Sequence, residues 1–138
     1  MLFRSLALAV SLEHLGKTFD NNIAKILGET LDTATSKLLD TGKSPARKLG
    51  QIDNRGSHFY IALYWAEELA TQTKDAKLAA RFKPVYEALS NNEETIASDF
   101  IDVQGSPVEI NGYFKPEAAL VDMAMRPSQV LNKILAGA

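Results

Sequence analysis

Residues 53–70, DNRGSHFYIALYWAEELA, limit the possible folds more than any other stretch of the chain. Asp53-Asn54 is a helix-start signal, with Ser57 a second cap candidate, because a short polar side chain can accept from the unpaired N–H groups of a first turn. From Phe59 onward, Phe59, Ala62, Leu63, Ala66, Leu69 and Ala70 share one face at helical spacing. Tyr60, Tyr64 and Trp65 widen that stripe until little of the circumference is polar before Glu67-Glu68. A helix this apolar needs neighbours on several sides. The sequence therefore predicts a core built around a central aromatic helix over 59–72.

Helical signals also dominate the rest of the chain. A second helix is predicted from Asp20, as its cap, to Thr41, with Ile23, Ile26, Leu27, Leu31, Ala34 and Leu38 on one face. Gly42 is placed to end it, and Gly28 inside it implies a close helix contact. At the start, MLFRSLALAVSL has the apolar run of an export signal, but Ser11, Glu13 and His14 break it and no small-x-small site follows. Leu2, Leu6, Val10, Leu12 and Leu15 instead predict a buried helix ending at Gly16. Asp75 opens a further amphipathic stretch through Leu78, Phe82, Val85, Tyr86 and Leu89, where Pro84 predicts a kink or a division. Asn91 and Glu94 have capping-box spacing ahead of Ile96, Phe100 and Val103, with a stop at Gly105. SPVEINGYFKP predicts a loop or very short hairpin near 106–114, because Asn111-Gly112 is a strong turn signal. Pro116 and Pro127 suit first helical turns, predicting helices over 116–125 and 127–136. The expectation is one all-α domain over 1–138, of six to seven helices.

Composition then excludes some chemistries. The chain has no cysteine, so it holds no disulfide framework, thiolate metal site or thiol nucleophile. A net charge of −2 gives no global field toward nucleic acid or acidic membranes. The expectation is a cytoplasmic protein with neither of those partners. His14 and His58 each lack a second histidine at ligand spacing, which favours structural roles over metal binding. Glu67-Glu68 and Glu93-Glu94 are adjacent on helices, diverge, and read as solvated faces. Ser57-His58 matches no local nucleophile signature, and no glycine-rich phosphate motif occurs.

One cluster stands apart. Lys43, Arg47, Lys48 and Arg55 place four cations within thirteen residues, beside the exposed donors of a helix start. Arginine's planar fork fits phosphate oxygens, and helix N-termini attract anions. The competing reading is a solvated basic loop paired with Asp40 and Asp53. Surface charge clusters are common, so spacing alone leaves both readings open.

LALAVSLEHLG at 6–16, KSPARKLGQIDNRGSHFYIALYWAEELA at 43–70, QGSPVEINGYFKP and MRPS at 125–128 resemble the C-terminal end of the monomeric NADP-dependent isocitrate dehydrogenases. The resemblance covers essentially the whole chain, and it implies an all-α fragment of a larger α/β enzyme. Such enzymes convert isocitrate to 2-oxoglutarate, a step of the tricarboxylic acid cycle, with NADP as hydride acceptor and Mg or Mn as the divalent metal. The family's SPSRK motif contributes an arginine to NADP binding; here it reads SPARK, and that arginine is Arg47. The serine hydroxyl is lost at Ala46. DNRGS is matched in full at 53–57 and is read as support for that loop. The resemblance places the metal and isocitrate residues elsewhere in the family's chain, so this chain alone is expected to be inactive. A non-catalytic helical interaction domain is the alternative. Self-association through exposed helix faces, or docking to the remainder of the enzyme, is the expected partnership.

Overall fold

The computed structural model describes residues 2–138, the side chain of Leu2 excepted, and among them contains seven helices and no strand. In chain order these are α1 (Leu2–Thr18), α2 (Asn22–Asp40), α3 (Asn54–Thr71), α4 (Ala76–Asn91), α5 (Glu93–Asp102), α6 (Ala118–Met125) and α7 (Gln129–Ala136). Among the described residues no helix is long and apolar enough to cross a membrane.

α3 is the aromatic helix, and it packs against α2, α4 and α5. It starts at Asn54, earlier than the apolar stripe indicates, because Asp53 caps it by accepting from the Gly56 N–H at 2.9 Å. Phe59, Tyr60, Ile61, Leu63, Tyr64, Ala66 and Leu69 are buried, and each large side chain removed from water contributes about 1.5–3 kcal/mol. The polar tips on this face find partners: Trp65 Nε1 donates to Thr30 Oγ1 at 3.0 Å, and Tyr64 OH to Thr41 Oγ1 at 3.1 Å. Glu67 corrects the solvated-face expectation, since Lys37 of α2 reaches across and pairs with it. Burial pulls the Lys37 pKa down, but the hydrogen bond and charge of Glu67 outweigh it and leave it raised. Ser57 is no cap. It lies inside the helix and is fully buried.

α2 is capped by Asn21 rather than Asp20, whose φ of +49° forms part of the turn out of α1. Ile26, Leu31, Ala34 and Leu38 are buried as the pattern implies, Leu27 is half-buried and Ile23 exposed, while Ala24, outside the pattern, is buried too. A Cβ added at Gly28 would lie 2.8 Å from the Ala9 carbonyl and from Glu13 Cγ, so glycine there lets the backbone of α1 lie directly on α2. Gly16 is tighter still, with Lys25 Cγ 2.5 Å from such a Cβ, and α1 continues through it to Thr18.

That close approach corrects the expectation that α1 is a buried helix. Ala9 is buried and Leu12 half-buried, whereas Leu6, Val10 and Leu15 are exposed, and Leu2 lies outside the described side chains. Small residues make the α1–α2 contact, so the large apolar side chains of α1 are left facing away from it.

α4 is one undivided helix despite Pro84, capped by Asp75. Pro84 and Ala80 both lie on the exposed side, where water can satisfy the freed carbonyl. The Asn91–Glu94 capping box does not form: Asn92 precedes α5, and its amide donates to the Ala88 carbonyl at 2.8 Å instead of capping. α5 buries Ile96 and Phe100. Residues 106–117 form a loop, in which Asn111 and Gly112 take φ of +61° and +88°. Pro116 and Pro127 each stand one residue ahead of a cap, Glu117 and Ser128, rather than in the first turn.

Candidate functional site: the basic loop between the second and third helices

The loop leaves α2 through a tight glycine turn. Gly42 adopts φ +67°, and the N–H groups of Gly42 and Lys43 donate to the carbonyls of Leu39 and Leu38 at 3.0 Å each. This is the double hydrogen bond of a Schellman ending, which needs a left-handed residue at Gly42's position. Ser57 Oγ then donates to the Lys43 carbonyl at 2.6 Å, tying the root of the loop to the inside of α3. Lys43 Nζ lies 4.3 Å from the centre of the Tyr60 ring. Burial raises the Tyr60 pKa; the hydrogen bond from Lys43 works against that, and Glu93 works with it.

Further along, the Ala46 N–H donates to the Ile52 carbonyl at 2.8 Å and closes the neck. The tip is held from a distant part of the chain. Gln104, just past α5, accepts from the Gly50 N–H and donates to the Gln51 carbonyl, both at 2.9 Å. Leu49 rests against Gly105, 3.4 Å from where a Cβ would be.

The four cations have different fates. Arg55 Nε and one terminal nitrogen meet Asp53 Oδ2 at 2.8 and 2.7 Å, and its other terminal nitrogen donates to the Ala124 carbonyl at 2.7 Å. Burial raises the Asp53 pKa, but the Gly56 N–H and the Arg55 guanidinium outweigh it and hold the carboxyl below its ordinary value. Lys43 is engaged with Tyr60. Arg47 and Lys48 are exposed and, among the described residues, take part in no ion pair and no side-chain hydrogen bond. Thus, of the expected pairings with Asp40 and Asp53, only that with Asp53 is found among the described residues, and there Arg55 alone uses it.

Arg47, Lys48 and Leu49 line an open cleft of ≈ 320 Å³ together with Asp53, Arg55, residues 103–106 and Val108. An exposed guanidinium beside an ammonium suits an oxyanion, and the fork of Arg47 suits phosphate oxygens in particular. The donor set can hold an anionic charge and orient it. The histidines lie elsewhere and make contacts within their own helices, His14 Nε2 at 3.4 Å from Thr18 Oγ1 and His58 Nδ1 at 2.6 Å from the Asn54 carbonyl. Among the described residues no three His, Asp or Glu side chains converge in a way that could hold a metal ion. Sequence reasoning missed Gln104, a single polar residue in a connection, with no pattern that ties it to a loop 53–54 positions earlier.

The family model for monomeric isocitrate dehydrogenase matches residues 2–136. This chain belongs to that family. It is 54% identical over 131 residues to the isocitrate dehydrogenase [NADP] of Azotobacter vinelandii, covering 95% of this chain and 18% of that protein. It is 52% identical over 130 residues to isocitrate dehydrogenase [NADP] 2 of Colwellia maris, covering 94% of this chain and 18% of that one. The corresponding Mycobacterium tuberculosis enzyme is 48% identical over 130 residues, with 94% and 17% covered. The chain thus spans less than a fifth of the length of these relatives.

Proposed function

We propose that this chain is part of an NADP-dependent isocitrate dehydrogenase and that its basic loop holds a phosphate of NADP through Arg47. The observation that carries the reading is the contrast within one loop: Lys43 and Arg55 are engaged by the fold, while Arg47 is left exposed on the rim of a cleft. A guanidinium with no hydrogen-bonded or ionic partner among the described residues gives up no such contact when an anion arrives. A hydrogen bond to a charged group is worth about 1.5–3 kcal/mol, enough to separate a cofactor carrying the extra phosphate from one lacking it.

In a complete enzyme of this family, NADP would supply the hydride acceptor and Mg or Mn the Lewis acid, the metal held by residues outside those described here. The part of this chain is narrower. Arg47 binds and orients, the Gly42 turn and Ser57 fix the root of its loop, and Asp53 with Arg55 keeps the start of α3 in register beneath it. Ala46 stands where the family's motif has a serine, so this loop offers one hydroxyl fewer.

Titration separates the readings. NADP should bind weakly and with salt sensitivity, more weakly after Arg47→Ala, and NAD should bind far less. Equal affinity for both cofactors would overturn the phosphate role. The chain alone, given isocitrate, NADP and Mn, should produce no NADPH; any protein-dependent production would overturn that assignment of labour.

A second reading, an interaction domain, is favoured by a specific feature. Phe3 is 85% exposed, Val10 65% and Phe19 76%, a quantity of apolar surface that a lone domain seldom leaves in water. In the reading proposed here, the family's chain outside the matched region covers this surface, and in isolation copies of this chain cover one another.

A further inference from the structure

We infer that Gln104 is a positioning residue for the Arg47 loop, holding it in its anion-binding shape; the inference rests on the phosphate-binding reading above. Gln104 uses both ends of its side-chain amide on the same loop. Its oxygen accepts from the Gly50 N–H and its nitrogen donates to the Gln51 carbonyl, each at 2.9 Å. The loop needs such a restraint. Gly50 takes φ +75°, a conformation glycine holds no more firmly than several others, and Arg47 to Gly50 are all exposed. The neighbouring neck bond, Ala46 N–H to Ile52, fixes only the base. Beyond it, the paired bonds from Gln104 are, among the described residues, the side-chain hydrogen bonds that hold the tip, beside the Leu49 contact with Gly105.

Gln104 also lines the cleft that Arg47 lines, in the 103–106 segment. One amide therefore ties the 103–106 segment to Gly50 and Gln51, which follow directly on the Arg47–Leu49 stretch of the lining. A loop ordered before the ligand arrives binds with an affinity undiminished by a disordered fraction. Removing the amide lowers the population of the competent loop, and affinity for a phosphate held by Arg47 falls with it. A ligand that makes no use of Arg47 is indifferent to the change.

The test is a cycle on the full chain with NADP and NAD as probes. Gln104→Ala should weaken NADP binding roughly five- to tenfold, in line with two lost hydrogen bonds, and leave NAD binding unchanged. Gln104→Met keeps the volume without the amide and should behave the same. The double variant with Arg47→Ala should bind NADP no more weakly than Arg47→Ala alone, which a general loss of stability would not produce. Exchange of the Gly50 amide hydrogen should quicken about tenfold in both Gln104 variants, on the same energetic scale. If Arg47→Ala weakens NADP binding and the Gln104 variants do not, or if Gln104→Met binds like the parent, the positioning role is wrong and the phosphate reading stands. If Arg47→Ala itself changes nothing, the phosphate reading falls and takes this inference with it.

Discussion

α1 and α3 are nearly the same length, 17 and 18 residues, and both are rich in large apolar side chains. α3 has neighbours on several sides and buries nearly all of them. α1 meets α2 through Ala9 and Gly28 and leaves Phe3, Leu6, Leu8, Val10 and Leu15 facing water. An apolar helix states that cover is needed, not where the cover comes from. In α3 it comes from this chain. In α1, for a chain spanning 18% of its relatives' length, we propose that it comes from outside the matched region.

The largest expected effect tests the buried side of that contrast. Phe59→Ala should cost about 3–5 kcal/mol in urea unfolding, while Phe3→Ala should stay within about 0.5 kcal/mol in dilute solution. Comparable losses from the two would abolish the distinction. Gly28→Ala should come next, at about 1–3 kcal/mol, because the new methyl meets the Ala9 carbonyl and the Glu13 nitrogen of α1, backbone that cannot yield as the Glu13 side chain can. Hydrogen exchange should then show α1 losing protection while α3 keeps it; equal loss in both helices would mean that α1 is integral to the core.

Self-association through the α1 face should respond to Val10→Ser. Light scattering should report association weakened about tenfold, the scale of one apolar side chain returned to water. A parent chain that stays monomeric at every concentration would remove the exposed-face argument. The smallest effect concerns the root of the basic loop. Asp53→Asn keeps a capping side chain but loses the charge facing Arg55, and should cost about 0.5–1 kcal/mol at neutral pH. Because Asp53's pKa is lowered on folding, its contribution is present above the ordinary carboxylate range and is lost as pH falls through the lowered value. The melting curves of parent and variant should therefore converge in acid, and a gap that persists there would assign the effect to something other than the carboxylate.

The helices were legible because spacing and caps are local. Ile26, Leu31, Ala34 and Leu38 lie buried on one face of α2, Asp75 caps α4, and Gly42 ends α2. Gly28 was readable as a close contact because glycine inside a helix is otherwise costly. The α2 cap fell one residue later, on Asn21 instead of Asp20, and α5 begins after Asn92 with no side-chain cap at all, choices that turn geometry makes and composition does not. In the basic loop, the cluster of cations and the family resemblance could be read directly. Which cations the fold had already engaged could not, because Tyr60, Asp53 and Ala124 reach them from different distances along the chain.

By itself the sequence determined a helical chain, its aromatic centre and its family, since each is written in residues close together or in a long, unusual string. Tertiary structure decided that α1 presents its large side chains outward, that Arg55 is spoken for while Arg47 is not, and that a glutamine from beyond α5 grips the loop between α2 and α3. The physical reason is common to all three: each depends on how closely two distant backbones approach, and periodicity carries no measure of that distance.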